Sequence, residues 1–356
     1  ELGQWAVISK LPSESRTWET VEVKNIAVDM AFLRNRLTVT GEYFIKKNKD
    51  MLVSIEIPSI IGIDVPTGNY GELKVKGWEV TVGWQDKIKD FSYGARFNLS
   101  DQKDKLVDYG VEYNGFVAGV NQKVQGYSLG AIFGYRTDGY FTSEEEVKNS
   151  AAFNKAITGV GDIKYIDKDG DGKISAPNDL EYLGTTTPRY TFGLNLTAAW
   201  KGFDLSMVWA GAAGFSIYWG ATTGYNAAST EWGSTIAQRV AENHYFYNPE
   251  NPDDPRTNIN AKYPRMAYID GYVQNRHGNT TLWLYKGDYI KLKNLSLGYT
   301  LPKNWVSKIA MQNARIYVSA ENLLTITGFE GQDPESATGM GYSPFRTIAI
   351  GANITF

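Results

Sequence analysis

The sequence predicts an all-β fold, an antiparallel sheet crossing a lipid bilayer as part of a β-barrel. Three observations carry this: apolar side chains alternate with period two in many short stretches, connections alternate between short and long, and no stretch can span as a helix. The longest apolar run, about Met207 to Phe215, falls well short of the roughly 18 residues a membrane helix needs. Composition agrees with strands: glycine is abundant at 36, and tyrosine numbers 23 within an aromatic fraction of 13%.

The clearest strand is Arg189 to Trp200, where Tyr190, Phe192, Leu194, Leu196, Ala198 and Trp200 share one face and small or polar residues the other. The same alternation marks Phe91 to Ser100, Phe203 to Gly211, Ala314 to Asn322 and the last segment, with Ile348, Ile350, Ala352, Ile354 and Phe356 on one side. About nine strands are expected, near 19–33, 36–46, 72–86, 90–101, 189–200, 203–212, 282–301, 313–323 and 345–356. Two change phase, after Gly77 and after Leu292, and each slip predicts a β-bulge. Short connections such as Arg34-Asn35 and Lys201-Gly202 alternate with long ones near 47–71, 102–188, 213–281 and 324–344. Outer-membrane barrels sort their connections this way, with tight periplasmic turns and long external loops. A soluble β-sandwich also alternates, but nothing in it sorts loops by length. Aromatic residues at strand ends (Trp78, Trp84, Tyr190, Trp200, Trp209, Phe356) suit interfacial girdles.

An odd number of antiparallel strands leaves the first and last pointing the same way. The expectation is therefore a larger barrel, whose other strands precede residue 1. The opening Glu1 to Trp5 has neither the basic nor the apolar region of a signal peptide, so an exported protein is expected to have its true N-terminus elsewhere.

With 36 basic and 39 acidic residues and no dense Lys/Arg block, no nucleic-acid partner is expected. The absence of cysteine excludes disulfides and thiolate chemistry. The two histidines, His244 and His277, sit in no metal or triad spacing, and Gly172-Lys173 is followed by Ile174 where a phosphate loop needs Ser or Thr. No catalytic residues are assigned, and the chain is not read as an enzyme.

Several stretches resemble the SusC-like branch of the TonB-dependent outer-membrane transporters, in that family's order. They are Trp18-Glu19-Thr20, Arg34-Asn35-Arg36-Leu37 with Glu42 to Lys47, Gly134-Tyr135-Arg136-Thr137-Asp138-Gly139, Asp167 to Ile174, Tyr285 to Leu295, Gly298-Tyr299-Thr300-Leu301-Pro302 and Glu321-Asn322-Leu323. The likeness runs from about residue 15 onward. It implies the C-terminal portion, about nine strands, of a plugged barrel of about 22 strands in a bacterial outer membrane. It also implies a SusD-like lipoprotein lid, and energy from TonB through N-terminal segments lying outside this chain. A glycan or peptide substrate follows from the same likeness. A passive porin or barrel-based adhesin predicts the same wall without a plug. A secreted β-rich carbohydrate-active enzyme would need two carboxylates in one cleft, which sequence cannot pair.

Asp167-Lys168-Asp169-Gly170-Asp171-Gly172-Lys173 has carboxylates at positions one, three and five, glycine at six, and at seven a backbone carbonyl, that of Lys173. This is the start of a calcium loop; Asn178 stands where an EF-hand places its closing Glu, so Asp179 is the candidate closing ligand, with Glu181 behind it. The alternative is a solvated Asp/Gly turn. SusC-like proteins carry such loops externally, so the resemblance implies a structural calcium ion. Trp219, Tyr225 and Trp232 are candidates to stack on sugar rings or dock a partner, against packing of the loop's own core. Phe356 reads either as a signal for the barrel-assembly machinery, as the resemblance implies, or as a girdle aromatic.

Overall fold

The computed structural model describes residues 16–54, 67–110, 116–219, 238–266, 275, 279–336 and 344–356. In chain order the strands are β1 (Thr20–Phe32), β2 (Leu37–Ser54), β3 (Thr67–Ile88), β4 (Phe91–Asp108), β5 (Ala131–Tyr135), β6 (Thr137–Tyr140), β7 (Ile163–Tyr165), β8 (Leu180–Thr185), β9 (Tyr190–Trp200), β10 (Phe203–Ala213), β11 (Ser216–Tyr218), β12 (Leu284–Lys286), β13 (Tyr289–Thr300), β14 (Asn313–Thr327) and β15 (Thr347–Thr355). Nine of them form one sheet in the order β1-β2-β3-β4-β9-β10-β13-β14-β15, and every neighbouring pair is antiparallel. The fold is an all-β barrel wall, as the alternation predicts.

Register fixes what each face carries, because directly opposed residues share a face. One row runs Val39, Val82, Phe97, Leu194 and Trp209; others join Leu196 to Met207 and Leu295, and Val318 to Leu297 and Ile350. The result is an apolar band over all nine strands. Its members stay open to the surroundings: Ile350 is 79% exposed, Ile26 69% and Leu297 52%. The other face carries Thr38, Arg96, Asn195, Thr197, Asp204, Ser206, Arg315 and Asn353, and Asp204 accepts the Arg315 guanidinium at 2.9 Å.

The tight turns follow from local chemistry. Lys201 (φ 45°) and Gly202 (φ 91°) both adopt left-handed backbone, which matches the twist of the strands they join. An added Cβ at Gly202 would meet the Thr300 carbonyl at 2.9 Å.

The bulge expected after Leu292 is present, with the register shifting between Leu292 and Asn294. The one expected at Gly77 is not: Gly77 pairs in unbroken register with Phe44 and Gln102. The phase change there is a change of environment. Lys74 and Lys76 continue the same face as Trp78, Val80 and Val82, so the outward face turns from apolar to charged while the backbone runs on. Strand ends expected in loops are therefore paired: 47–54 in β2, 67–71 in β3, 102–108 in β4 and 324–327 in β14. Polar side chains there erase the alternation without weakening the ladder. The strand expected over 282–301 is two elements. Residues 284–286 pair with β11, and β13 begins at Tyr289 after Gly287 passes beneath the Phe215 ring.

Buried apolar residues lie mainly away from the sheet. The segments between β4 and β9 and between β10 and β13 have their own cores, one of Tyr135, Ile163, Tyr165, Ile174 and Leu180, a second of Val124, Ala131 and Phe133, and a third of Val240, Tyr263 and Trp283. Of the nine largest fully buried side chains, only Leu106 and Lys291 belong to the nine-stranded sheet. The two long connections lock together where Arg265 reaches the fully buried Asp162, with Asn275 donating to the same carboxylate at 2.9 Å.

Candidate functional site

The acidic loop lies between β7 and β8, and its carboxylates first build the loop itself. Asp167 accepts the backbone N–H groups of Gly170 at 2.7 Å and Gly172 at 2.8 Å, and Gly170 (φ 76°) and Gly172 (φ 81°) take the left-handed backbone this requires. These bonds, that of Gly172 first, hold the Asp167 carboxyl below the usual range. Asp179, 2% exposed, accepts from the Lys168 and Ser175 N–H groups at 2.7 Å each. Asp169 accepts from Asn178, the residue standing at position twelve, at 2.7 Å.

One oxygen from each of Asp167, Asp169 and Asp179 lies within 4.8 Å of the others. The closing residue chosen from sequence thus meets two members of the loop start. Asp171 is not in that cluster: its carboxylate turns to the Lys173 N–H at 2.8 Å. Glu181 is taken by Arg136. Among the described residues no ion pair neutralises the three clustered aspartates, and the nearby Lys168 ammonium donates instead to the Leu180 carbonyl at 3.2 Å. A set of carboxylate oxygens without nitrogen or sulfur ligands suits a hard cation.

Of the aromatic candidates, Tyr225 and Trp232 lie outside the described residues. Trp219 is engaged on several sides: Tyr285 and Phe329 meet it edge-on at 5.7 and 5.6 Å, and the Arg239 guanidinium sits 3.8 Å above its ring. Phe356 follows β15 and is 74% exposed.

One concavity lies on the polar side of the sheet and a second among the connecting segments. A trough of about 830 Å³ near the short turns is lined by Arg36, Thr38, Arg96, Asn195, Thr197 and Asp204, and a smaller one of about 520 Å³ by Asn121, Phe215, Tyr218, Tyr289 and Glu335. Sequence reasoning missed the group beside the second. Lys291, on β13 with no exposed surface, donates to Asp333 at 2.6 Å and to Glu335 at 2.9 Å, and Lys293 donates to Glu335 at 2.5 Å. The only sequence signal was two lysines in an otherwise alternating strand; their partners stand about forty positions away.

No family model matches the chain. Known proteins do. It is 28% identical over 98% of its length to TonB-dependent receptor P3 of Formosa agariphila, and 21% identical over 97% to TonB-dependent receptor SusC of Bacteroides thetaiotaomicron. Among solved structures the RagAB peptide transporter superposes with a TM-score of 0.72 at 21% identity, over 95% of this chain. The chain spans about a third of the length of these relatives, 35% of the first and 32% of the second. The resemblance to SusC-like TonB-dependent receptors therefore holds along nearly the whole chain.

Proposed function

We propose that this chain is part of the wall of a TonB-dependent importer in a bacterial outer membrane, taking up an oligosaccharide or a peptide with a SusD-like surface lipoprotein as its lid. One observation carries the reading. A continuous apolar band lies on one face of nine strands and remains exposed, polar side chains line the other, and the long connections have built their own cores. Hydrocarbon is the environment in which such a band costs nothing, and a barrel satisfies every backbone group there. The names of the relatives, TonB-dependent receptors, support energy input from TonB through segments outside this chain. The two concavities support a substrate path inside the wall, and the packed external segments offer a lid its seat.

The test is uptake by cells carrying the full-length protein. Import of the oligomeric substrate is expected to stop when the proton gradient is collapsed. Unchanged uptake would mark a passive porin, and a full-length protein monodisperse in plain buffer would end the membrane reading altogether.

The acidic loop is read as a structural calcium site, held by Asp167, Asp169 and Asp179 with the Lys173 carbonyl. Bound calcium would offset the repulsion of three carboxylates and stiffen the segment between β7 and β8. Chelator is expected to speed proteolysis within 167–179 severalfold and leave the sheet intact. Asp169→Asn is the better variant, since Asp179→Asn also breaks one of two backbone bonds; equal cleavage with and without chelator would leave a solvated turn.

A further inference from the structure

We infer that the outward face of β2, β3 and β4, just beyond the apolar band on the side of the long connections, binds the phosphate-bearing headgroup of a lipid in the outer leaflet. Five lysines meet there. Lys47 of β2 stands opposite Lys74 of β3, and Lys74 opposite Lys105 of β4, so three ammonium groups lie in one row; one pleat nearer the band, Lys76 stands opposite Lys103. No register shift separates them from Ile45, Val80 and Leu99, so they share the face of the apolar band. Directly opposed residues lie about 5 Å apart and successive ones on a face about 7 Å. Like charges so placed destabilise a sheet, and three such pairs in adjoining positions call for an anion.

Among the described residues no ion pair supplies it. Glu22, opposite Lys47, is held by Lys49 at 3.1 Å and Lys24 at 3.4 Å. Asp101 pairs with Arg189 at 3.0 Å, and Asp104 accepts from Ser128 and Leu129. Beyond Leu73 and Leu106, across a register shift, Glu72 stands opposite Asp108, which accepts the Gly110 N–H at 2.9 Å. Among the described residues none of the five lysines has an ion-pair partner. Lys76, Lys103 and Lys105 are exposed.

Position selects a lipid over a free anion. Immediately below the lysines on the same face are Tyr43 and Trp78, then Val80, Val82, Phe97 and Leu99, a surface for acyl chains beneath a surface for phosphate. The long row across three strands matches a headgroup bearing more than one phosphate.

The inference rests on the membrane reading and fails separately from it. The experiment uses the full-length protein in detergent and its Lys74→Gln/Lys76→Gln/Lys103→Gln/Lys105→Gln variant, titrated with diphosphorylated lipid A, the same lipid dephosphorylated, and inorganic pyrophosphate. Each lysine removed is expected to weaken binding of the phosphorylated lipid by about fivefold. The lipid-free variant should melt no lower than wild type, since all three like-charge pairs are gone, and only wild type should be stabilised by the phosphorylated lipid. Equal binding by variant and wild type, or equal binding of both lipids, would overturn the proposal while leaving the barrel standing. Pyrophosphate binding as tightly as the lipid would overturn the lipid as its occupant.

Discussion

Placing a positive charge at Ile350 is expected to destabilise the assembled barrel by about 2–4 kcal/mol, whereas the same charge one residue earlier, at Ala349, should cost about 0.5 kcal/mol or less. Ile350 is 79% exposed on the apolar face, opposite Val318, with Ile348 and Ala352 on either side along its strand. Ala349 stands opposite Ser319 on the polar face. The two positions share a strand, a neighbour and a depth, and differ only in which medium the side chain enters. Equilibrium unfolding of the full-length protein in phospholipid vesicles, with Ile350→Arg compared against Ala349→Arg, measures the difference. Equal costs would remove hydrocarbon from the apolar face. Gly351 is a poorer control, because an added Cβ would meet the Tyr317 ring at 2.5 Å.

Replacing Lys291 with methionine is expected to release the segment 328–336 from the wall, at a local cost of about 3–5 kcal/mol. The ammonium is fully buried and satisfied by Asp333 and Glu335; without it two carboxylates face one another in a confined site. Burial raises the Glu335 carboxyl, but hydrogen bonds from Lys293 and Lys291 outweigh it and hold the group at about 2. A carboxyl held below its unfolded value, about 4.3, contributes fully above that value, and its contribution fades as the pH falls toward 2. The protection factor of this segment against amide exchange should thus fall in wild type between about pH 4.5 and 2. In Lys291→Met it should be low already and nearly flat with pH. The contacts of Phe329 with Trp219 and Tyr285 are untouched by the change, so exchange that stays slow in the variant would show that these rings, and not the ion cluster, anchor the segment.

The parts of this protein legible from sequence are those governed by a rule of period two. Tyr190 to Trp200 announces its two faces because one face meets hydrocarbon and the other does not, and each membrane-embedded stretch repeats that demand. Where it ceases, at Lys74 and Lys76 in β3 or Lys103 and Lys105 in β4, the alternation vanishes although pairing continues, which is why the strand ends were missed and Gly77 was read as a bulge. The glycines and aspartates of 167–172 were legible for a different reason: a tight turn imposes local spacing, and local spacing is written in the chain.

The sequence by itself determined the alternation of faces, the alternation of connection lengths and the Asp/Gly turn, since each depends on residues within a few positions of one another. Only the tertiary structure decided that Lys291 meets Asp333 and that lysines of three strands stand abreast. Those contacts depend on register and on chain closure over tens of residues, and a backbone ladder accepts any side chain, so nothing local specifies them.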